Sequence, residues 1–291
     1  GWIPTMPEGD VLLRVTRRLQ GALAGRKVTR SELRTGPLGG VDLTGHSVTE
    51  CVSHGKNTLI RFDSGRTLHV HLKMDGVWRI DETTLPPAHY GDWRIRIVLG
   101  NADWTCVCRL PGEVHLLRTA DERRLLGTLG PDLLAGETGA CEAGTPDFPG
   151  IAAAASRFAA TADPAQGTIG AVLLNQRIAA GIGTIYLAES LWITRVHPLT
   201  PADSLTEATL ERIYRTASAL MARSASAEQL TATGDLRPGW RTHVHGREHR
   251  PCRRCGQQIA KVSIGRAPLS RPGFYCPRCQ APPSARTQTG P

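Results

Sequence analysis

The chain has 291 residues, with 35 Lys/Arg against 26 Asp/Glu and a net charge of +9. That is room for two lobes with separate cores, since domains commonly run ~100–200 residues. It has neither a run of ~18 uncharged apolar residues nor a basic-then-apolar start, so a soluble cytoplasmic protein is expected, with no membrane partner.

The charge is placed unevenly. Residues 241–291 hold ten Lys/Arg against one acid, Glu248, while the first 240 residues balance at 25 of each sign. A neutral body with a basic end suits a polyanionic partner, because neutralising phosphates releases counterions.

Residues 1–5 fit no periodic pattern and precede Met6. From Glu8, the apolar positions Val11, Leu12, Val15, Leu19 and Ala22 recur at helical spacing until Gly25, which predicts one amphipathic helix with Glu8 at its head. From about Lys27 to Leu117 the pattern turns to short alternating segments, among them 58–62, 67–72 and 93–99, punctuated by Asp63-Ser-Gly and Leu99-Gly-Asn. This predicts a β-sandwich lobe. Between Leu134 and Asp147, Gly, Glu, Thr and Pro dominate and read as a linker. Residues 148–235 are rich in Ala, Leu and Arg and suit three or four helices, broken at Pro198 and Pro201. A cysteine-bounded hairpin follows at 245–280, then a disordered tail at 281–291. The expected fold class is α+β, with an N-terminal β-sandwich domain at 6–135, a helical domain at 148–240 and the hairpin.

Four of the eight cysteines stand as Cys252-x-x-Cys255 and Cys276-x-x-Cys279, with 20 residues between the pairs. Each pair can hold one side of a tetrahedral ion while the intervening chain returns as a hairpin, which points to one structural Zn2+. A redox pair or disulfides are the other readings. Cys51, Cys106, Cys108 and Cys141 lack such spacing and read as small buried hydrophobes.

Several separated strings share one resemblance. Met6-Pro7-Glu8-Gly9-Asp10 opens the patterned chain. Leu173-Leu-Asn-Gln176 leads through Gly181-Ile-Gly183-Thr184 to Glu189-Ser-Leu, followed by Arg195-Val-His197-Pro198. The cysteine hairpin contains Arg271-Pro-Gly-Phe-Tyr-Cys276. Gly55-Lys56, His71-Leu-Lys-Met74-Asp-Gly76 and Leu129-Gly-Pro-Asp-Leu-Leu134 lie between. In this order they resemble the formamidopyrimidine-DNA glycosylase and endonuclease VIII family. Pro-Glu-Gly is more like the endonuclease VIII branch, and His-Leu-x-Met more like the formamidopyrimidine branch.

The resemblance implies a bifunctional DNA glycosylase and abasic-site lyase of base excision repair, with damaged DNA as partner and a monomer as the simplest state. Pro7, exposed by removal of Met6, would be the nucleophile: an α-amino group has a pKa near ~8 and is partly neutral at physiological pH. Glu8 would move protons at the sugar. Lys56 and Arg271 would hold phosphates, and Met74 would fill the gap left by an extruded base. His71 would hold a phosphate or its own loop. Gly181, Gly183 and Thr184 would let a helix start approach a phosphate.

Taken singly, Pro7 and Glu8 are ordinary residues for a first helical turn, Lys56 is a surface lysine and Met74 a core side chain. Two departures stand out. Thr184 replaces the usual Asn, which implies weaker DNA affinity, and the chemistry requires that the native chain begin at Met6. The rivals are a DNA-binding relative with a blocked proline, and a zinc-ribbon RNA-binding protein suggested by the basic hairpin alone.

Overall fold

The computed structural model describes residues 7–83, 91–137 and 145–283. Met6, Cys141, most of the expected linker and residues 284–291 lie outside the described residues. Contacts divide the chain into two compact units: one holds residues up to 128 with 134–144, the other 129–133 with 145–291.

The first unit opens with α1 (Gly9–Leu23) and continues through β1 (Arg30–Leu33), β2 (Val48–His54), β3 (Asn57–Phe62), β4 (Arg66–His71), β5 (Val77–Glu82), β6 (Ile95–Gly100), β7 (Trp104–Arg109), β8 (Glu113–Arg118) and the short α2 (Glu122–Leu126). Two four-stranded antiparallel sheets form, ordered β2-β3-β4-β8 and β1-β6-β7-β5. Period-2 alternation makes the sandwich: Ile60, Phe62, Leu68 and Val70 of one sheet share a core with Trp78, Ile97, Leu99, Cys106 and Cys108 of the other.

Leu12, Leu19 and Leu23 of α1 lie in that same core. Burying each such side chain stabilises by roughly 1.5–3 kcal/mol, so the helix is fastened by its apolar stripe. Its far end is tied by Asn101, whose Nδ2 donates to Ala22 O (2.9 Å) while its Oδ1 accepts from the N–H groups of Asp103 and Trp104 (both 2.9 Å). The head of the helix, where Pro7 and Glu8 sit, is thereby fixed against a rigid scaffold. Cys51, Cys106 and Cys108 are buried as expected of small hydrophobes, and burial pushes all three thiols up and keeps them inert.

The second unit contains α3 (Phe148–Thr161), α4 (Ile169–Leu174), α5 (Thr184–Thr194), α6 (Glu207–Ala225) and a hairpin of β9 (Ala260–Ile264) and β10 (Arg271–Tyr275). The sequence suited three or four helices, and four form. Side-chain caps start three of them: Asp147 accepts from Gly150 N, Thr168 from Ala171 N and Thr206 from Thr209 N. α6 presents Leu210, Ile213, Tyr214, Ala217, Leu220 and Met221 at helical spacing and packs on α3 and α5. α5 is buried on nearly all sides, with α4, α6 and β10 against it. None of the described helices is long and apolar enough to cross a membrane.

Candidate functional site

In the first unit, Pro7 is buried and Glu8 is the residue before α1, extended at φ −106° and ψ −178°. The carbonyl of Glu8 accepts the first helical hydrogen bonds, from Val11 N (3.0 Å) and Leu12 N (3.1 Å). The Glu8 side chain is only 2% exposed, so a carboxylate is held beside the imino acid at a place where an acid is seldom put without a task.

Lys56 sits in the two-residue turn joining β2 to β3, where Gly55 takes φ +56°, a conformation glycine adopts without strain. The β3–β4 register pairs Asn57 with His71, which brings Lys56 to the same end of the sheet as His71. There the structure joins residues the sequence had separated. His71 Nδ1 accepts from the backbone N–H of Lys73 (3.0 Å), and Lys73 Nζ reaches Glu113 (2.7 Å) on β8. Burial, with the positive charges of Lys73 and Lys56, lowers His71 to about 4. A neutral ring whose Nδ1 accepts must carry its proton on Nε2, so His71 is a fixed neutral donor.

Met74 occupies the tip of the β4–β5 loop, closed by Gly76 N to Leu72 O at 3.0 Å. At 49% exposed it is no core methionine but an apolar side chain held out into solvent. Two glycines make the loop possible. A Cβ on Gly76 would lie 2.4 Å from Leu72 O, and one on Gly112 would lie 2.0 Å from Lys73 Cγ.

In the second unit, the turn between α4 and α5 is clamped by Gln176. Its Nε2 donates to Leu174 O (3.0 Å) and Ile182 O (2.9 Å), and its Oε1 accepts from Gly181 N (3.0 Å). Gly181 takes φ +121°, which L side chains rarely adopt. The Leu129–Leu133 segment braces the turn through Gly130 N to Gln176 O, Ala180 N to Pro131 O and Leu133 N to Ala180 O. Gly130 is needed there, because a Cβ would lie 2.4 Å from Ile178 O. Gly183 stands before α5 and Thr184 begins it, so the positive end of an 11-residue helix follows directly on the glycine turn, with residues 181–186 buried. Thr184 is 3% exposed, and its Oγ1 lies 3.4 Å from His245 Nε2.

Glu189, on α5, is fully buried and accepts four hydrogen bonds: from His243 N (2.7 Å) and Nδ1 (2.8 Å), Val244 N (2.9 Å) and His245 N (2.9 Å). Burial alone would raise its pKa, yet donation from His243, His245 and Val244 holds it below the ordinary carboxylate value. The carboxylate thus fastens the loop segment that leads into the cysteine hairpin onto α5.

The four sulfurs of Cys252, Cys255, Cys276 and Cys279 lie within 4.8 Å of one another. Specific separations are 3.4 Å for Cys255–Cys276, 3.5 Å for Cys255–Cys279 and 4.0 Å for Cys252–Cys279. Tetrahedral thiolates at a metal bond of ~2.3 Å would stand about 3.8 Å apart, so the set fits one ion with no position left for water. Burial raises the Cys252 thiol, but N–H donation from Arg254 and Trp192 outweighs it and brings the group to about 6. Arg271 is exposed at the start of β10, opposite Ile264, at the tip of the hairpin.

Residues 6–127 match the formamidopyrimidine-DNA glycosylase N-terminal domain and residues 146–234 match its H2TH domain. The chain is 39% identical over 286 residues to a probable endonuclease 8 2 of Streptomyces coelicolor, covering 97% of this chain and 96% of that one. It belongs to the formamidopyrimidine-DNA glycosylase family. A DNA-(apurinic or apyrimidinic site) lyase Nei2 of Mycolicibacterium smegmatis is 34% identical, over 94% of this chain and 99% of its own. The fold is shared with the Lactococcus lactis formamidopyrimidine-DNA glycosylase crystallised non-covalently bound to DNA containing an abasic site. That structure has a TM-score of 0.74 at 20% identity and covers 94% of this chain and 100% of that chain. The H2TH match spans the α4–turn–α5 unit clamped by Gln176.

Sequence reasoning missed Lys73, Glu113, Trp192, His243 and His245. Glu189 and Gln176 stood inside the family-like string without a stated role. The alternation His243-x-His245 was the one available signal for the loop segment that Glu189 holds.

Proposed function

We propose that this chain is a bifunctional DNA glycosylase and abasic-site lyase acting on damaged bases in DNA. The observation that carries the reading is the Pro7-Glu8 pair, buried at the head of a helix that the sandwich core immobilises, in a chain 39% identical to a probable endonuclease 8 2.

In this reading Pro7, as a free N-terminal imine-forming amine, attacks C1′ of the damaged nucleotide. An N–C1′ bond forms, the glycosidic bond breaks and the base leaves with a proton. Glu8 protonates the sugar ring oxygen as the ring opens, giving an iminium that withdraws electrons. Loss of a C2′ proton then expels the 3′ phosphate by β-elimination, and a second elimination releases the 5′ phosphate where it occurs. Lys56 and the neutral Nε2–H of His71 donate to phosphates beside the lesion. Met74 enters the stack that the extruded base vacates, which limits the cost of unstacking. The N–H groups at the start of α5 and the Arg271 guanidinium take further phosphates. The four cysteines hold one structural Zn2+ that folds the hairpin carrying Arg271, and the ion supplies no catalytic step.

Borohydride trapping on an oligonucleotide with an abasic site tests this. A chain processed to a free Pro7 should give a covalent adduct, and one retaining residues 1–6 should not. Tight binding without any adduct from the processed chain would support the inactive DNA-binding relative instead, and a preference for RNA would support the zinc-ribbon reading.

A further inference from the structure

Trp192 has no part in the reading above, yet it is 7% exposed and touches three separate parts of the second unit. Its indole Nε1 donates to Cys252 Sγ at 3.4 Å. Its ring stacks on His243 with centroids 4.4 Å apart and planes 19° from parallel. The Arg254 guanidinium lies 3.9 Å from the ring centroid and also donates to Trp192 O at 3.1 Å. His243 donates to Glu189 from both its backbone N–H and its side chain, and the same carboxylate holds His245, whose Nε2 meets Thr184 Oγ1. Trp192 and Glu189 are three residues apart on α5 and share a face. A continuous set of contacts therefore runs from Cys252 of the four-cysteine site to Thr184, the first residue of α5.

We propose that Trp192 is a positioning residue of the four-cysteine site, donating its indole N–H to the Cys252 thiolate and coupling metal occupancy to the geometry of the α5 N-terminus. The physical basis is the sharing of one rigid helix. A thiolate that accepts an N–H bond is fixed in orientation, and partners of this outer kind typically change metal affinity 10–100-fold when removed. If the metal is withdrawn, Cys252 Sγ remains an acceptor but is no longer held in one orientation, so the indole bond, the His243 stack and the Glu189 clamp on His245 beside Thr184 lose a common anchor. The inference rests on the reading of the cysteines as a metal site, and the experiment separates the two.

Loaded with 113Cd, the full chain should show a scalar coupling from the metal through Cys252 Sγ to the Trp192 indole proton. Trp192→Phe keeps the ring and loses the N–H. It should release zinc to a chromogenic chelator about tenfold faster, and bind a duplex with a tetrahydrofuran abasic analogue several-fold more weakly even in zinc excess. Trp93→Phe, exposed in the other unit, serves as the control and should change neither. A chain that takes up no cadmium would refute both the metal reading and this inference. Uptake without the coupling, zinc release within twofold of the parent, or faster release with unaltered DNA affinity would each overturn the role of Trp192 alone.

Discussion

The backbone N–H of Lys73 donates to Nδ1 of His71 at 3.0 Å, so the proton of the neutral ring stands on Nε2, directed away from its own loop. The proposed phosphate contact is thus a single oriented donor and not a positive charge. His71→Gln keeps an N–H near the place of Nε2, whereas His71→Ala removes it. We expect the alanine variant to bind an abasic-site duplex about tenfold more weakly, the worth of one hydrogen bond to a charged group at ~1.5 kcal/mol. The glutamine variant should stay within about threefold of the parent. Fluorescence anisotropy at fixed salt measures both, and a glutamine variant as weak as the alanine one would remove His71 from the interface.

Met74 and Gly112 give a paired test of the wedge. Because Met74 is 49% exposed, Met74→Ala should leave stability within ~0.5 kcal/mol of the parent. Excision from duplex DNA should nevertheless fall tenfold or more, while excision from a single strand should change little, since only the duplex must be held open. Gly112→Ala places a Cβ 2.0 Å from Lys73 Cγ and 2.6 Å from Lys73 Cβ, atoms too near the backbone to swing aside. It should cost about 1–3 kcal/mol and reproduce the duplex-specific defect by shifting the loop. Equal losses on duplex and single strand for Met74→Ala would argue against insertion.

The parts of this architecture that repeat locally were legible in the sequence. The helical spacing from Val11 to Ala22 reads directly as α1, the alternation at 58–62 and 67–72 as β3 and β4, and the two Cys-x-x-Cys pairs as one cluster, because each signal lies within a few residues. What was illegible depends on register between distant segments. Nothing near Glu113 marks it as the partner of Lys73; that follows from β4 pairing with β8, with His71 opposite Glu113. The Glu189 carboxylate likewise meets Val244 and His245 more than 50 residues on. Met74 could have been core or tip on sequence alone, since one methionine carries no periodicity.

His69 makes the first unit sensitive to acid. It is 1% exposed, its Nε2 donates to Asn57 Oδ1 at 2.8 Å, and burial above all lowers it to about 4. The unfolded ring titrates near ~6.5, so between those values the unfolded chain binds more protons than the folded one. Stability is therefore complete above about pH 6.5 and falls as the pH drops towards 4, by at most about 3 kcal/mol at ~1.36 kcal/mol per pH unit. Urea melts of parent and His69→Gln between pH 4.5 and 7.5 should show a shallower slope in the variant, the remainder being carried by His71, which is lowered to about the same value. Parallel slopes would show that other groups control the acid limb.

Glu189 places the opposite kind of group in the second unit. Its four donors hold the carboxylate below its ordinary value of about 4.5 in spite of complete burial. For a depressed acid the stabilisation is present above the unfolded pKa and is lost as the pH falls through the folded one, so the clamp on His243–His245 should hold at neutral pH and release only in acid below the ordinary carboxylate range. Glu189→Gln turns an amide N–H towards N–H donors and leaves buried groups unpaired, which should cost about 3 kcal/mol or more at pH 7. Hydrogen exchange at the Val244 and His245 amides gives the local readout. In the parent their protection should persist to pH 5, and in the glutamine variant it should already be lost at pH 7 while amides of β3 and β4 stay protected. Retained protection at Val244 in the variant would show that the 243–245 segment is held by the hairpin itself, and that the α5 carboxylate is dispensable for it.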